Sequence, residues 1–209
     1  MMTKSTPGRP KLTCAIWLAG QMAFASHSQA RRRLLGAGSA PSGGRAPHGG
    51  GLGGQHFWLM KSEPGECSID DLARAPHQTV PWVGVRNYQA RNFMRDAMQP
   101  GDGVLFYHSS CDQPGVAGLA TVACTAYPDA TQFDRSSPYF DAKASPAAPR
   151  WLHVDVRLVA KTRLLALREM RQRPELASML LLKPGNRLSI TPVTPAEWAA
   201  VNKLLAAPT

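Results

Sequence analysis

The chain has 209 residues, with 24 Lys and Arg against 14 Asp and Glu and a formal net charge of +10. That length allows one domain with a sizeable core, or one domain with a tail. It contains no P-loop, G-x-G-x-x-G, H-E-x-x-H, G-x-S-x-G or paired-carboxylate pattern, so the commonest hydrolytic and transfer mechanisms have no visible apparatus.

The charge is uneven along the chain. Residues 1–55 hold seven of the basic side chains (Lys4, Arg9, Lys11, Arg31, Arg32, Arg33 and Arg45) and no acidic one, which leaves +3 for residues 56–209. Eleven of the 18 glycines also fall there, and such a segment cannot bury enough apolar surface to offset its chain entropy. A disordered basic extension is expected, adding sequence-independent attraction to phosphates; an over-extended start codon is the competing reading. The apolar patch Cys14 to Ala25 follows three basic residues and loosely resembles a secretory signal, and the acid-free triple-Arg run suits an organelle presequence. It is too short for a membrane span. Cys14, Cys67, Cys111 and Cys124 show neither C-x-x-C nor zinc-site spacing. Ordinary thiols fit a reducing cytosol, so a cytoplasmic location is expected, with organelle targeting through the extension as the alternative.

The domain begins with His56 to Lys61, a short apolar, aromatic run that predicts a buried strand. Pro64 biases Glu63 toward extended geometry, so Lys61, Ser62 and Glu63 should emerge at a strand end, where pockets collect polar groups; Lys61 as an edge charge and Ser62 as a turn former compete with this. Ser68 and Asp71 form a capping-box-like start for a brief helix through Ala73, which Pro76 ends. Next comes W-V-G-V-R-N-Y-Q-A-R-N-F-M from Trp82 to Met94, too polar for core. Trp82 and Tyr88 offer flat π-faces, Asn87, Gln89 and Asn92 offer paired donors and acceptors suited to a base edge, and Arg86 and Arg91 offer forked donors for phosphate. The competing reading is a solvated helix from Asn87, its cap, to Met98, stopped by Pro100-Gly101.

Val104 to His108 predicts a strand buried on both faces that delivers His108, Ser109 and Ser110 into a loop. His108 could serve a base or phosphate, or be a satisfied histidine beside a turn. Gly115 to Tyr127 reads as one long bent strand in which Gly118 allows a bulge or a close backbone approach. Residues 128–149 read as a loop. Trp151 to Lys161 alternates, with Leu152, Val154, Val156, Leu158 and Ala160 set against His153, Asp155, Arg157, Val159 and Lys161. Short helices are predicted over Leu164 to Arg171 and Pro174 to Leu181, a last strand over Arg187 to Ile190, and a closing helix over Pro195 to Leu205 with Thr194 as cap. Short strands separated by single short helices make no βαβ units and point to a small α+β barrel.

Several longer strings occur in order: K-S-E-P from Lys61, W-V-G-V-R-N-Y-Q-A-R-N-F-M-R from Trp82, G-D at 101–102, F-Y-H-S from Phe106, G-V-A-G from Gly115, Y-P-D-A-T-Q-F-D from Tyr127, P-R-W at 149–151 and N-R-L-S-I-T-P-V from Asn186. From His56 to about Leu205 this closely resembles the EVE-domain (thymocyte nuclear protein-like) family. The resemblance implies an α+β fold, a PUA-like β-pseudobarrel with short flanking helices over residues 56–209. It also implies binding of DNA or RNA carrying modified bases, such as methylated or oxidised cytosine, in an aromatic-lined pocket.

The expected base-binding residues are Lys61, Ser62, Trp82, Val85, Arg86, Asn87, Tyr107, His108 and Ser109, with Trp82 and Tyr107 for stacking. Lys61, Arg86 and Arg91 are expected on phosphates. Neither catalytic residue, metal nor cofactor is expected, nor membrane association, and the expected state is monomeric. The alternative is a hydrolase of modified nucleosides resembling the ASCH domains of the same superfamily, using Lys61, Ser62 and Glu63; neighbours in an extended segment point to opposite faces, which counts against it.

Overall fold

The computed structural model describes residues 54–207. The disorder and targeting expectations for the N-terminal extension lie outside the described residues.

Among these residues the strands are β1 (Phe57–Ser62), β2 (Thr79–Pro81), β3 (Gly103–His108), β4 (Gly115–Val122), β5 (Tyr127–Pro128), β6 (Leu152–His153), β7 (Asp155–Ala166) and β8 (Ile190–Val193). The α-helices are α1 (Ile69–Arg74), α2 (Tyr88–Asn92), α3 (Leu167–Arg171) and α4 (Pro195–Ala206). Six strands form one sheet in the order β2-β7-β4-β3-β1-β8, and β5 pairs with β6 in a second, small one. Strands β1 and β3 run parallel, and the other pairings are antiparallel. The sheet curls into an α+β pseudobarrel with short flanking helices, as the resemblance implies.

The β1/β3 register decides what faces what. Lys61 lies beside Tyr107, and Ser62 beside His108. Alternation therefore sends Leu59, Lys61, Leu105 and Tyr107 to one face and Met60, Ser62, Phe106 and His108 to the other. The first face packs with Val116, Leu165, Met170, Met179 and Val201 in one apolar cluster. On the second, Trp82 meets Phe106 edge-on, with ring centroids 5.4 Å apart. Buried Asp102 secures the entry into β3 by accepting from the Trp58 indole (2.9 Å) and from the backbone N–H groups of His56 (3.1 Å) and Gln99 (2.9 Å).

The capping signals were legible. Ser68 and Asp71 form a capping box on α1, Thr194 and Glu197 form another on α4, and Asn87 caps α2 by accepting from the Ala90 N–H. Other boundaries moved. The helix expected from Asn87 to Met98 is α-helical only to Asn92, then widens into a π-turn over Phe93–Ala97, where the Met98 N–H reaches the Phe93 carbonyl at 2.9 Å. The long strand expected over 115–127 stops at Val122, and its register slips around Ala117 and again between Leu119 and Ala120. A Cβ on Gly118 would sit 2.8 Å from the Ala160 carbonyl oxygen, so close backbone approach is what that glycine permits.

Strand β7 continues to Ala166, absorbing residues expected to begin a helix, because Leu165 and Ala166 pair with Val116 and Gly115. His153, assigned to the outer set, is buried, since the ladder breaks between β6 and β7 and the alternation restarts. The helix expected from Pro174 to Leu181 is two 3₁₀ turns, Pro174–Leu176 and Leu180–Leu182. The last strand begins only at Ile190. Strand β2 carries no periodic signal of its own and exists through pairing with β7.

Candidate functional site

The segment after β2 leaves the sheet with the Trp82 N–H still bonded to the Val154 carbonyl (2.9 Å). Trp82 is only 7% exposed, and Val85 is buried too. Gly84, at φ +83°, lies under Tyr139, where a Cβ would come within 2.6 Å of the ring. The Tyr139 hydroxyl donates to Glu66 (2.9 Å). These contacts gather residues 62–69, 82–86, 106–109 and 129–139, which are distant in sequence, around one place.

Arg86 faces inward rather than outward. Its Nε and Nη2 donate to the Tyr139 carbonyl (2.9 and 2.6 Å), Nη2 also to Thr131 Oγ1 (2.9 Å), and Nη1 to Asp129 (2.8 Å) and the Val85 carbonyl (3.2 Å). All five guanidinium hydrogens are thereby used inside the protein, which departs from the expected phosphate fork. The reason is Asp129, a fully buried carboxylate that needs a counter-charge. Burial pushes the Asp129 carboxyl upward, but hydrogen bonds from Thr131, Arg86 and Gly84 outweigh it and hold it below the ordinary range.

At the ends of β1 and β3, Ser62 and His108 face the Trp82 side, and Ser109 follows directly after β3. Ser62 Oγ donates to the Cys67 carbonyl (2.7 Å), and Ser109 bonds to the Ser62 carbonyl through its N–H (2.8 Å). His108 Nε2 accepts the Ile69 N–H at 3.0 Å, one of the orphan donors of α1. Burial lowers the His108 pKa, with Asp70 and Asp71 opposing, and an accepting Nε2 leaves the proton on Nδ1. Its available donor is therefore Nδ1–H.

Lys61 and Tyr107 do not join this group. They lie on the opposite face, where burial lowers the Lys61 pKa and raises that of Tyr107 to about 12. The aromatic partner of Trp82 is Phe106 instead. The same alternation separates Lys61 from Ser62, so the triple needed by the hydrolase alternative does not converge. Among the described residues no group of three or more His, Cys, Asp or Glu could hold a metal ion, and no helix is long and apolar enough to cross a membrane.

Further along, Asn87 is exposed, its side-chain oxygen used by the cap (3.1 Å to the Ala90 N). Arg91 donates to Asn92 Oδ1 (2.7 and 3.1 Å) and to the Arg150 carbonyl (2.9 Å), with Cζ 4.8 Å from the Tyr88 ring centre. Sequence reasoning gave no role to Asp129, Gln132, Tyr139 or Trp151. Buried Gln132 joins its loop to the next strand, donating to the carbonyls of Asp129 (2.8 Å) and Trp151 (2.9 Å) and accepting from the N–H groups of Arg150 (2.9 Å) and Trp151 (3.0 Å). Asp129, Gln132 and Trp151 stand in Y-P-D-A-T-Q-F-D and P-R-W, strings that were visible but whose partners lie tens of residues away.

A family model described as the EVE domain matches residues 56–204. Thymocyte nuclear protein 1 of Mus musculus is 42% identical over 167 residues, spanning 71% of this chain and 73% of its own length. The Homo sapiens protein of that name is 42% identical over 165 residues, spanning 70% and 72%. Among solved structures, the human THYN1 protein in complex with DNA containing 5-methylcytosine matches at TM-score 0.70 and 40% identity, over 74% of this chain and 100% of that one. A hypothetical protein from Leishmania major matches at TM-score 0.68 and 50% identity, over 72% and 94%. The fold is the PUA-like pseudobarrel of these relatives, and the chain belongs to the EVE-domain family.

Proposed function

We propose that the protein is a non-catalytic module that binds nucleic acid carrying a modified base, with DNA containing a methylated cytosine as the foremost ligand class. The observation that carries this reading is the likeness, at 40% identity over the whole of that chain, to a protein bound to DNA containing 5-methylcytosine. In this reading the base leaves its stack and lodges on the Trp82 side of the sheet. Trp82 supplies the aromatic surface, braced edge-on by the fully buried Phe106, while Ser62, Ser109, the His108 Nδ1–H and the Asn87 amide meet the base edge. Arg91 serves phosphates, and Arg86 positions the walls through Asp129 and Tyr139. Extruding a base costs a few kcal/mol, which aromatic stacking of roughly 1–3 kcal/mol offsets. A buried methyl adds about 0.8 kcal/mol, roughly a fourfold gain in affinity.

The test is fluorescence anisotropy of the full chain with matched DNA and RNA oligonucleotides carrying cytosine or its methyl, hydroxymethyl or carboxyl derivative at one position, at fixed salt. A preference of about fourfold or more for a modified base is expected. Equal affinity for every base, in DNA and RNA alike, would overturn the reading. Asn87→Ser keeps a good helix cap while removing the amide, so it should preserve melting and narrow the modified-to-unmodified ratio.

A further inference from the structure

Tyr88 stands apart from the other aromatic side chains of the central stretch. It is 48% exposed, whereas Trp82 is buried. Its ring is not loose, because it stacks on Trp151 with centroids 4.9 Å apart and planes 27° from parallel. Trp151 is in turn held by its indole N–H to Asp141 (2.7 Å) and by Gln132. Arg91 and Arg150 flank the Tyr88 ring, their Cζ atoms 4.8 and 5.9 Å from its centre, and Arg150 donates to the Tyr88 hydroxyl. Arg86 stands 5.5 Å from the Trp151 ring and runs back to the Trp82 segment. Two carboxylates lie in this group, Asp141, 3.5 Å from Arg150, and the buried Asp129, 2.8 Å from Arg86. Phe140, the residue before it, is 38% exposed.

An exposed aromatic ring, immobilised on its inner side and set between arginines, has the composition of a nucleobase-stacking surface. Stacking tolerates any base, and the arginines attract the attached phosphate. Of these three arginines, Arg86 and Arg150 are paired to carboxylates and Arg91 is in no ion pair among the described residues, and a cation beside an exposed ring suits a nucleotide better than an apolar protein partner.

We propose that Tyr88, backed by Trp151 and flanked by Arg91 and Arg150, is a second stacking site that holds an unpaired nucleobase next to the one taken by the Trp82 side. It rests on the function proposed above. The held base comes from one of two places: the nucleotide flanking the modified one on the same strand, or the base left without a partner on the opposite strand. Either would lower the cost of opening the duplex by giving an exposed base a surface to rest on.

The experiment places 2-aminopurine, whose fluorescence falls when it stacks, beside or opposite a 5-methylcytosine, in single-stranded and duplex oligonucleotides bound to the full chain. Wild type should quench one of these positions, and the quenched position identifies the source. Tyr88→Leu, which keeps bulk over Trp151 but not the π-face, should abolish that quenching and weaken binding roughly five- to hundredfold. Tyr88→Phe should retain both. The preference for modified over unmodified base should survive in Tyr88→Leu, because the pocket is unchanged, and melting curves confirm that the variants fold. If wild type prefers the modified base but Tyr88→Leu binds and quenches as wild type does, the second site is refuted while the function stands. If wild type has no preference at all, the proposed function fails first. If wild type itself quenches at no position, stacking is refuted even where Tyr88→Leu weakens binding.

Discussion

Replacing Arg86 separates a residue that holds the site together from one that grips phosphate. Asp129 is fully buried and Arg86 is its charge partner. Removing one member of a buried pair costs about 3–5 kcal/mol, since the other charge is left uncompensated. For a domain of this size each kcal/mol shifts the melting temperature by roughly 2–4 °C, so Arg86→Ala should melt about 6–20 °C lower. Arg86→Lys keeps the charge but puts one ammonium where a planar fork reached Asp129, Thr131 and the Tyr139 carbonyl. It should leave at least one buried acceptor unpaired, at about 1–3 kcal/mol, or roughly 2–12 °C. The Arg86→Ala/Asp129→Ala double variant should be less destabilised than the sum of the singles, because it removes both charges. Calorimetric or fluorescence melts of the four variants and the wild type provide the measurement. The reasoning is refuted if Arg86→Ala melts within about 2 °C of wild type while the dependence of nucleic-acid binding on salt loses about one unit of slope, the signature of a lost phosphate contact.

Gly84 and Gly101 both have positive φ, +83° and +95°, but a Cβ at Gly101 meets nothing within 4 Å whereas one at Gly84 strikes Tyr139. Gly101→Ala should cost roughly 1–2 kcal/mol of backbone strain, and Gly84→Ala clearly more; equal melting temperatures would show that Tyr139 does not constrain the segment. Burial lowers the pKa of both His108 and His153, so near pH 6 the unfolded chain binds more protons than the folded one. Their contribution to stability is complete above the unfolded value of about 6.5 and is lost as pH falls through the folded values. Melting temperature should therefore drop between pH 7.5 and 5.5, and the His108→Gln/His153→Phe variant should flatten that slope; an unchanged slope would assign it to other groups.

Residues that act on near neighbours were legible before any coordinates. The caps at Ser68, Asn87 and Thr194 are of this kind, as is the buried apolar run of β1, because a cap bonds within three residues and a buried strand declares itself by composition. The membership of the fold was legible in the longer strings. What the sequence left open was direction. Arg86 and Arg91 look alike in a string of letters, yet Arg86 turns inward because a carboxylate 43 positions away is buried beside it. His153 looks like an outward residue of an alternating strand until the break between β6 and β7 buries it. Tyr107 and Phe106 are neighbours in sequence, and only the register of β1 against β3 decides that Phe106 meets Trp82 while Tyr107 and Lys61 face away. Strand β2, the slipped register of β4 and the extension of β7 to Ala166 likewise exist through pairing across tens of residues. Local patterns specify the pieces, because their energies are set within a turn or two. The site is assembled by contacts whose partners no short window contains.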